Sequence, residues 1–400
     1  MRVGLFTDAY LPEISGVTMA VRWYREELER RGHEVYVYAP RYERPQDSDD
    51  RTYRFRAGPV FGYKTARMAL PYSREAFQSF ALLDVVHSHT PFSLAYAAIA
   101  AARRHRLPHV QTYHTYLSQY RHYIPRPIRP TVRAAEAYSA MLCNRCTVVT
   151  VPTNAIKNEL IRYGVNRPVY VIPLGPHLPL FDRTACWAPR EELDVPREAR
   201  LFLYAGRLAA EKNLLFLLRG FARIRRELPN SMLVVAGDGP LRERMEHEAN
   251  ALGIRPGVRF TGFLDHPRLV DLYRAADLFL FASKTETQGL VLVEAMAGGT
   301  PAVAVGELGV VDVVRDGVNG YLVSEDEVCF ARAAVAALSD QEAYASLCSG
   351  AKETAAQMSV QSYADRTVEL YEACLSSSIH TARRPKRIHR IRRRRSRTAR

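Results

Sequence analysis

Short apolar runs alternate with amphipathic stretches through the first 175 residues. Short apolar runs predict buried strands, and apolar positions repeated every three to four residues predict helices. The predicted strands are Val3–Thr7, Glu34–Ala39, 84–89, His109–Thr112 and Thr147–Val151. The first predicted helix, Val17–Arg31, ends before Gly32. Strands and helices in this order predict an α/β fold, a doubly wound parallel sheet covered by helices on both faces.

The same pattern restarts after a proline-rich stretch between residues 173 and 198. The predicted elements of this second half are the strands Leu201–Gly206, Met232–Ala236, Val258–Gly262, Leu278–Phe281 and Pro301–Val305, and the helices Leu214–Arg226 and Leu241–Leu252. We therefore expect two Rossmann-like domains facing a cleft, with ligands at the carboxyl ends of the strands. The expected boundaries are 1–175 for the first domain, 176–198 for the linker, 199–358 for the second domain and 359–375 for a helix that returns to the first.

Composition and cysteine usage limit the class of protein. The 400 residues, 47% of them apolar, are enough for two hydrophobic cores. The Cys-x-x-Cys pair Cys143 and Cys146 lacks the second pair of a zinc site, so buried thiols in a reducing cytosol are expected. No signal peptide is evident, and no apolar run approaches the roughly 18 to 20 residues that span a bilayer. These features predict a cytoplasmic protein, soluble or peripheral to a membrane.

The net charge of +14 is unevenly distributed. Residues 1–180 are basic by +10, residues 181–382 are acidic by −7, and residues 383–400 are basic by +11. This asymmetry predicts an oriented contact with an anionic surface. The Arg-rich stretch 376–400 is predicted to be disordered. Its basic residues would each contribute about 1 kcal/mol near anionic lipid. Nucleic acid is the weaker alternative, because the stretch lacks stacking aromatics.

The most informative segment is Ser283–Ala297, where two carboxylates flank a predicted strand-to-helix junction. Glu286 lies in the loop, Glu294 lies in the predicted helix, and Gly289 marks the start of that helix. The first N–H groups of a helix have no partner within it and can bind an anion. The two glutamates could then contact two ends of one ligand. This arrangement indicates a nucleotide-sugar site.

Two loops that follow predicted strands add candidate diphosphate contacts. Arg207 and Lys212 come after the first strand of the second domain, where arginine would make a fork-like contact and lysine a point-charge contact. A solvated helix cap is the alternative interpretation. Gly16 would let the backbone approach a phosphate, although an isolated glycine before a helix is ordinarily a turn. No Gly-x-Gly-x-x-Gly motif accompanies it, so a dinucleotide cofactor is not indicated.

Histidines and tyrosines distinguish the first domain. His87, His89 and His114 end predicted strands, but no carboxylate-rich motif completes a metal site. His114 could orient a sugar hydroxyl, or it could be a packed histidine. The aromatic and basic stretch from Tyr116 to Arg133, with a predicted helix at 130–142, suits an interfacial segment or an ordinary surface helix.

Three motifs together resemble the retaining family 4 glycosyltransferases of GT-B fold. They are the glutamate pair Glu286 and Glu294, the motif Gly206-Arg207 followed by Glu211-Lys212-Asn213, and Gly237-Asp238-Gly239-Pro240. The resemblance covers about residues 1 to 375. The segments 4–12, 84–94 and 113–125 are most similar to diacylglycerol glucosyltransferases. Phosphatidylinositol mannosyltransferases share the motifs of the second domain but match the first domain less well.

The resemblance implies a role for each candidate residue. Glu294 would hold the ribose hydroxyls, Glu286 the transferred sugar, and Arg207 with Lys212 the departing diphosphate. The implied donor contacts are Gly16, Arg207, Lys212, Glu286, Thr287, Gln288, Gly289, Leu290 and Glu294, with His114 at the sugar and Tyr116, Tyr120 and Tyr123 on the acceptor side. The two cations would replace a divalent metal, so no metal and no cofactor beyond the nucleotide-sugar co-substrate is expected.

The expected activity is that of a retaining hexosyltransferase at the cytoplasmic face of the membrane. It would transfer glucose from UDP-glucose to a lipid such as diacylglycerol. One alternative is a GDP-mannose-dependent enzyme acting on phosphatidylinositol or another glycolipid. A non-catalytic nucleic-acid-binding protein is a third possibility, and the intact set Arg207, Lys212, Glu286 and Glu294 argues against it.

Overall fold

The computed structural model describes residues 1–13, 15–42, 49–60, 63–121 and 124–382. The elements of the first half are β1 (Arg2–Phe6), α1 (Gly16–Arg30), β2 (Glu34–Pro40), β3 (Thr52–Phe55), β4 (Ala57–Val60), β5 (Tyr63–Ala69), α2 (Arg74–Ser79), β6 (Val85–Ser88), α3 (Ser93–His105), β7 (His109–Thr112), α4 (Leu117–Tyr120), α5 (Val132–Cys143), β8 (Val148–Val151), α6 (Asn154–Arg162) and β9 (Val169–Val171).

The second half contains two short linker helices, a second sheet and the C-terminal helices. Its elements are α7 (Pro179–Asp182), α8 (Pro189–Glu192), β10 (Arg200–Ala205), α9 (Leu214–Glu227), β11 (Ser231–Ala236), α10 (Arg242–Ala251), β12 (Val258–Gly262), α11 (His266–Ala275), β13 (Leu278–Phe281), α12 (Leu290–Ala297), β14 (Ala302–Val305), α13 (Val310–Val313), β15 (Gly320–Val323), α14 (Glu327–Ala337), α15 (Gln341–Gln357) and α16 (Val360–Ala382).

The strands form two parallel sheets, which confirms the predicted pair of Rossmann-like domains. The first sheet has the order β3-β2-β1-β6-β7-β8-β9, and the second has the order β12-β11-β10-β13-β14-β15. Chain order reverses between β1 and β6 in the first sheet and between β10 and β13 in the second. Ligands bind open α/β sheets at these switch points. The loops after β1, β6, β10 and β13 are therefore where a site is expected.

The central strands are largely buried because helices cover both faces of each sheet. Strands β6, β8, β13 and β14 are buried along their whole length. Cys143 and Cys146 are buried and free, as predicted for structural thiols. Within the described part of the chain, no helix is both long and apolar enough to cross a membrane.

The last helix, α16, packs against the first domain. Its residues Tyr363 and Tyr371 are buried in the same core cluster as Val3 and Leu5 of β1. The helix continues to Ala382, so residues 376–382, expected to be disordered, are helical. From the start of α16 to Pro385 the sequence contains no glycine or proline, so no helix-breaking residue ends the helix earlier. The rest of the predicted tail, residues 383–400, lies outside the described residues.

Candidate donor site in the interdomain cleft

The loop after β10 places Arg207 at the switch point of the second sheet. This loop is supported by the Gly237-Asp238-Gly239 turn after β11, where the Leu208 N–H donates to the Asp238 carbonyl at 2.9 Å. Gly237 has φ +137°, and a Cβ there would stand 1.9 Å from the Gly206 carbonyl oxygen. Only glycine permits this close approach. The Gly-Asp-Gly-Pro motif therefore supports the loop that holds the candidate arginine.

Both candidate cations make ion pairs with glutamates. The Arg207 guanidinium donates to Glu211 Oε1 at 2.6 Å, while the arginine side chain remains 36% exposed. The Lys212 ammonium donates to Glu286 Oε1, and both of these side chains are mostly buried. The residue predicted to hold the sugar and a residue predicted to hold the diphosphate thus meet in one ion pair, although 74 positions separate them in the sequence.

The donor loop, which we define as residues 283–289, leads from β13 into α12. Gly289 precedes the helix with φ +86°, a left-handed conformation that glycine adopts without strain. The first N–H groups of α12 begin at Leu290, whose side chain packs against the core of the first domain. The loop is supported from behind by Gly309, whose N–H donates to the Glu286 carbonyl at 3.1 Å.

Glu294 lies in α12 and is positioned by residues that the sequence did not single out. The Tyr273 hydroxyl donates to Glu294 Oε2 at 2.9 Å inside the protein. His266 Nε2 lies 3.7 Å from Glu294 Oε1, and the Trp23 ring of the first domain meets the His266 ring edge-on at 4.9 Å. A carboxylate with one oxygen fixed by Tyr273 keeps acceptor capacity on the other oxygen for ligand hydroxyls.

Thr287 and Gln288 connect the two domains. The Thr287 hydroxyl donates to the His114 carbonyl at 3.0 Å, and the Thr153 hydroxyl donates to the Thr287 carbonyl at 2.8 Å. The Gln288 amide donates to the Leu174 carbonyl at 2.7 Å and accepts from the Leu174 N–H at 3.0 Å. The side chains of these two predicted donor residues thus bind the protein itself, and their role toward the donor stays a prediction.

His114 and Gly16 are the candidate residues of the first domain. His114 follows β7, and its Nε2 lies 3.1 Å from His89 Nδ1. Burial lowers the pKa of His114 to about 4, so the ring is neutral at pH 7. Gly16 begins α1 after the Ser15 cap, and apart from its neighbours and the backbone of its own helix no atom of the described residues lies within 4 Å of where a Cβ would stand.

The predicted acceptor-side tyrosines are only partly described. Tyr116 is buried, and its hydroxyl donates to Glu159 at 2.6 Å, so this tyrosine packs inside the first domain. Tyr120 ends α4, but its side chain lies outside the described part of the structure, as does the whole of Tyr123. The structure therefore shows Tyr116 bound to Glu159 within the first domain. The acceptor role of the three tyrosines stays a prediction.

Several residues of this cleft could not be recognised from the sequence. Tyr273, His266 and Thr153 reach the donor loop or Glu294 only because helices from different parts of the chain converge there. Asp312 accepts from the Ala155 N–H at 3.0 Å and so joins the second domain to the start of α6. No spacing in the sequence marks these contacts. Among the described residues, no group of three or more His, Cys, Asp or Glu could hold a metal ion.

Comparison with known proteins agrees with this geometry. Residues 14–178 match the glycosyltransferase family 4 model, and residues 187–354 match the model of the glycosyl transferases group 1. The chain is 33% identical over 337 residues to an alpha-monoglucosyldiacylglycerol synthase of Streptococcus pneumoniae, covering 80% of this chain and 75% of the relative. The synthase of the same name from Acholeplasma laidlawii is 32% identical, with 82% and 86% covered.

A solved structure extends the comparison to the fold. The Anabaena protein HepE in complex with UDP and glucose superposes with a TM-score of 0.75 at 20% identity, covering 93% of this chain and 100% of that one. Two facing Rossmann-like domains make up the GT-B fold, and the two family models identify the class as glycosyltransferases. The chain belongs to the family 4, group 1 glycosyltransferases, as its motifs predicted.

Proposed function

We propose that this chain is a retaining glycosyltransferase that transfers glucose from UDP-glucose to a membrane lipid such as diacylglycerol. The ion pair between Lys212 and Glu286 at the switch point supports it most directly, because it brings a cation for the diphosphate beside a carboxylate for the sugar. The two relatives named alpha-monoglucosyldiacylglycerol synthase support glucose and a diacylglycerol lipid.

We assign the donor contacts as follows. Glu294 would accept hydrogen bonds from the ribose hydroxyls, and Glu286 would accept them from the sugar. The N–H groups of Gly289 and Leu290, at the positive end of the α12 dipole, would donate to a phosphate. Gly16 would approach the same phosphate from the first domain.

Transfer forms a bond from the acceptor oxygen to the anomeric carbon and breaks the bond from that carbon to the diphosphate. Negative charge grows on the departing diphosphate, and Arg207 and Lys212 would stabilise it without a divalent metal. The acceptor oxygen would attack from the face that the diphosphate leaves, and a phosphate oxygen would take its proton. This course retains the anomeric configuration.

The first domain supplies a basic surface for the membrane. Ile128 is 74% exposed and lies between the exposed residues Arg126 and Arg129, just before α5. Cations next to an exposed aliphatic side chain suit the interface of an anionic membrane. We place the enzyme at the cytoplasmic face of the cell membrane, with the tail 383–400 as a second electrostatic contact. Nucleic acid remains the less favoured partner of that tail.

A GDP-mannose-dependent transferase is the second candidate. A GDP-mannose-dependent alpha-mannosyltransferase of Corynebacterium glutamicum is 27% identical over 376 residues, covering 88% of this chain and 84% of the relative. UDP and GDP sugars share the ribose and diphosphate, so the same residues would hold either donor. A non-catalytic nucleic-acid-binding protein is disfavoured, because the glutamates and cations of the cleft are intact and brought together.

A matrix of donors and acceptors tests the proposal. The purified full chain is incubated with UDP-glucose or GDP-mannose and with vesicles containing diacylglycerol or phosphatidylinositol. We expect glucosyl-diacylglycerol from UDP-glucose. Mannosyl-phosphatidylinositol as the main product would support the second candidate, and release of free sugar without any lipid product would contradict a lipid acceptor.

A further inference from the structure

Two histidines, His89 and His114, are in contact at the carboxyl edge of the first sheet. His89, directly after β6, is fully buried, and its Nδ1 lies 3.1 Å from His114 Nε2. The two rings are stacked with their centroids 5.4 Å apart. Because His114 is the residue proposed to contact the sugar, its protonation pattern determines what it can offer to a sugar hydroxyl.

The contact between the two rings constrains where the protons lie. Burial keeps the pKa values of His89 and His114 below that of a free histidine, so both rings are neutral and each has one N–H. One ring must donate and the other accept. His89 Nε2 is buried and has no hydrogen-bond partner among the described residues. A proton there would be an orphaned N–H, which native proteins avoid more strictly than an unsatisfied acceptor.

We propose that His89 is a positioning residue that donates from Nδ1 to Nε2 of His114 and thereby fixes His114 with its proton on Nδ1. The nitrogen of His114 that His89 does not engage then presents a neutral N–H to the sugar. This role rests on the proposed function of His114 in the cleft. The tautomer itself is a property of the free protein.

A third histidine holds His89 in place. Both ring nitrogens of His87 are engaged, Nδ1 with the Tyr371 hydroxyl at 2.5 Å and Nε2 with the Thr112 hydroxyl at 2.6 Å. The His87 ring lies 4.1 Å from the His89 ring, centroid to centroid. Since the partners of His87 are fixed, it packs against His89 as a rigid neighbour. Tyr371 belongs to α16, so the C-terminal helix holds His87 in place against His89.

The direct test is the tautomer of His114. Protein labelled with ¹⁵N-histidine is recorded by two-bond ¹H–¹⁵N correlation, which distinguishes Nδ1–H from Nε2–H imidazole. A His114→Gln variant assigns the resonance. We expect the Nδ1–H form for His114, whereas the Nε2–H form predominates for free histidine in water. An Nε2–H His114 in the unmodified protein would overturn the proposal, whether or not transfer activity is found.

Two substitutions of His89 distinguish the effect of its N–H donor from the effect of its size. His89→Asn keeps an N–H near the position of Nδ1, and His89→Leu removes it. We expect His89→Leu to lower kcat for glucosyl transfer about tenfold, the lower end of what loss of a histidine-orienting partner costs in metal sites. His89→Asn should restore most of that rate. In a His114→Ala background, His89→Leu should cause little further loss.

His109 provides a matched control for burial. It is buried on the neighbouring strand, but its Nε2 bonds to the Ser88 hydroxyl at 2.8 Å. His109→Leu should leave the His114 tautomer unchanged. Equal loss of the Nδ1–H signal in His109→Leu and His89→Leu would mean that general packing sets the tautomer, and would refute a specific role for His89. If His89→Leu does not fold, the tautomer of the unmodified protein still decides.

Discussion

At the scale of single residues, the candidate site depends on charges that lie far apart in sequence. Lys212 is mostly buried and pairs with Glu286, so its ammonium lies against the donor loop. A nearby lysine offers a contrast. Lys284 belongs to the donor loop, but it is more exposed and pairs with Glu325 at 2.6 Å. The two lysines therefore carry the same charge but differ in burial and in the glutamate that they contact.

Lys212→Ala should lower the rate of transfer by roughly 10²- to 10³-fold, the usual effect of removing one group that stabilises developing charge. The matched control Lys284→Ala should retain most of the activity. The measurement is kcat for glucosyl transfer to lipid. Equal losses in the two variants would show that the general charge of the loop, and not contact with the diphosphate, governs the rate.

Tyr273→Phe should weaken binding of UDP roughly tenfold, because hydrogen bonds to charged groups contribute about 1.5–3 kcal/mol and this one orients Glu294. Isothermal calorimetry with UDP measures the change. Tyr344→Phe is the control, since that hydroxyl donates to the Asp277 carbonyl. Unchanged UDP affinity in Tyr273→Phe would show that the hydrogen bond from Tyr273 to Glu294 does not contribute to UDP binding.

At the scale of elements, the sequence predicted the central strands well and the edges poorly. The buried central strand β13 has the predicted boundaries, because a continuous apolar run has few alternatives. Strands β3 and β9 were not predicted. They are short and partly exposed, so no apolar run marks them.

Some parts of the candidate site were likewise predictable from the sequence, and others were not. The loops after β10 and β13 were predictable because the carboxyl ends of parallel strands gather ligand-binding residues. The contacts made by Tyr273 and Thr153 were not predictable, because they depend on how helices and domains pack. Likewise, nothing in the sequence indicated that the Gln288 side chain would bind the backbone of Leu174.

The buried histidines of the first domain predict how stability depends on pH. Burial lowers the pKa of His109 to about 3 and of His114 to about 4, whereas in the unfolded chain both titrate near 6.5. Below pH 6.5 the unfolded state therefore binds more protons, and stability falls as the pH falls toward 4. Each histidine contributes up to about 1.4 kcal/mol per pH unit.

Urea unfolding at pH 7, 6 and 5 measures this dependence. The free energy of unfolding should fall steadily across the series. A free energy that stays constant from pH 7 to pH 5 would show that the buried histidines titrate normally in the folded protein.

At the scale of the whole molecule, contacts across the cleft join the second domain to the first. Asp312 accepts from the Ala155 N–H at 3.0 Å and from the Asn154 amide at 3.3 Å, at the positive end of the α6 dipole. Thr287 makes the second connection, through Thr153 and His114. Closure of the domains would therefore position the donor loop and His114 together.

Asp312→Ala should favour a more open molecule, with a larger radius of gyration in solution scattering and a lower kcat/KM. Asp312→Asn, which keeps a carbonyl acceptor for the Ala155 N–H, should have an intermediate effect. An Asp312→Ala variant with unchanged scattering and activity would show that this contact does not contribute to closure.

We propose retaining transfer of glucose to a lipid, with two protein cations in place of a metal. The most direct measurement is the anomeric configuration of the lipid product made from UDP-glucose and diacylglycerol in the presence of EDTA. We expect the α-anomer of glucosyl-diacylglycerol, formed at an undiminished rate. A β-anomer would contradict retention, and loss of activity with EDTA that added metal restores would contradict the roles of Arg207 and Lys212.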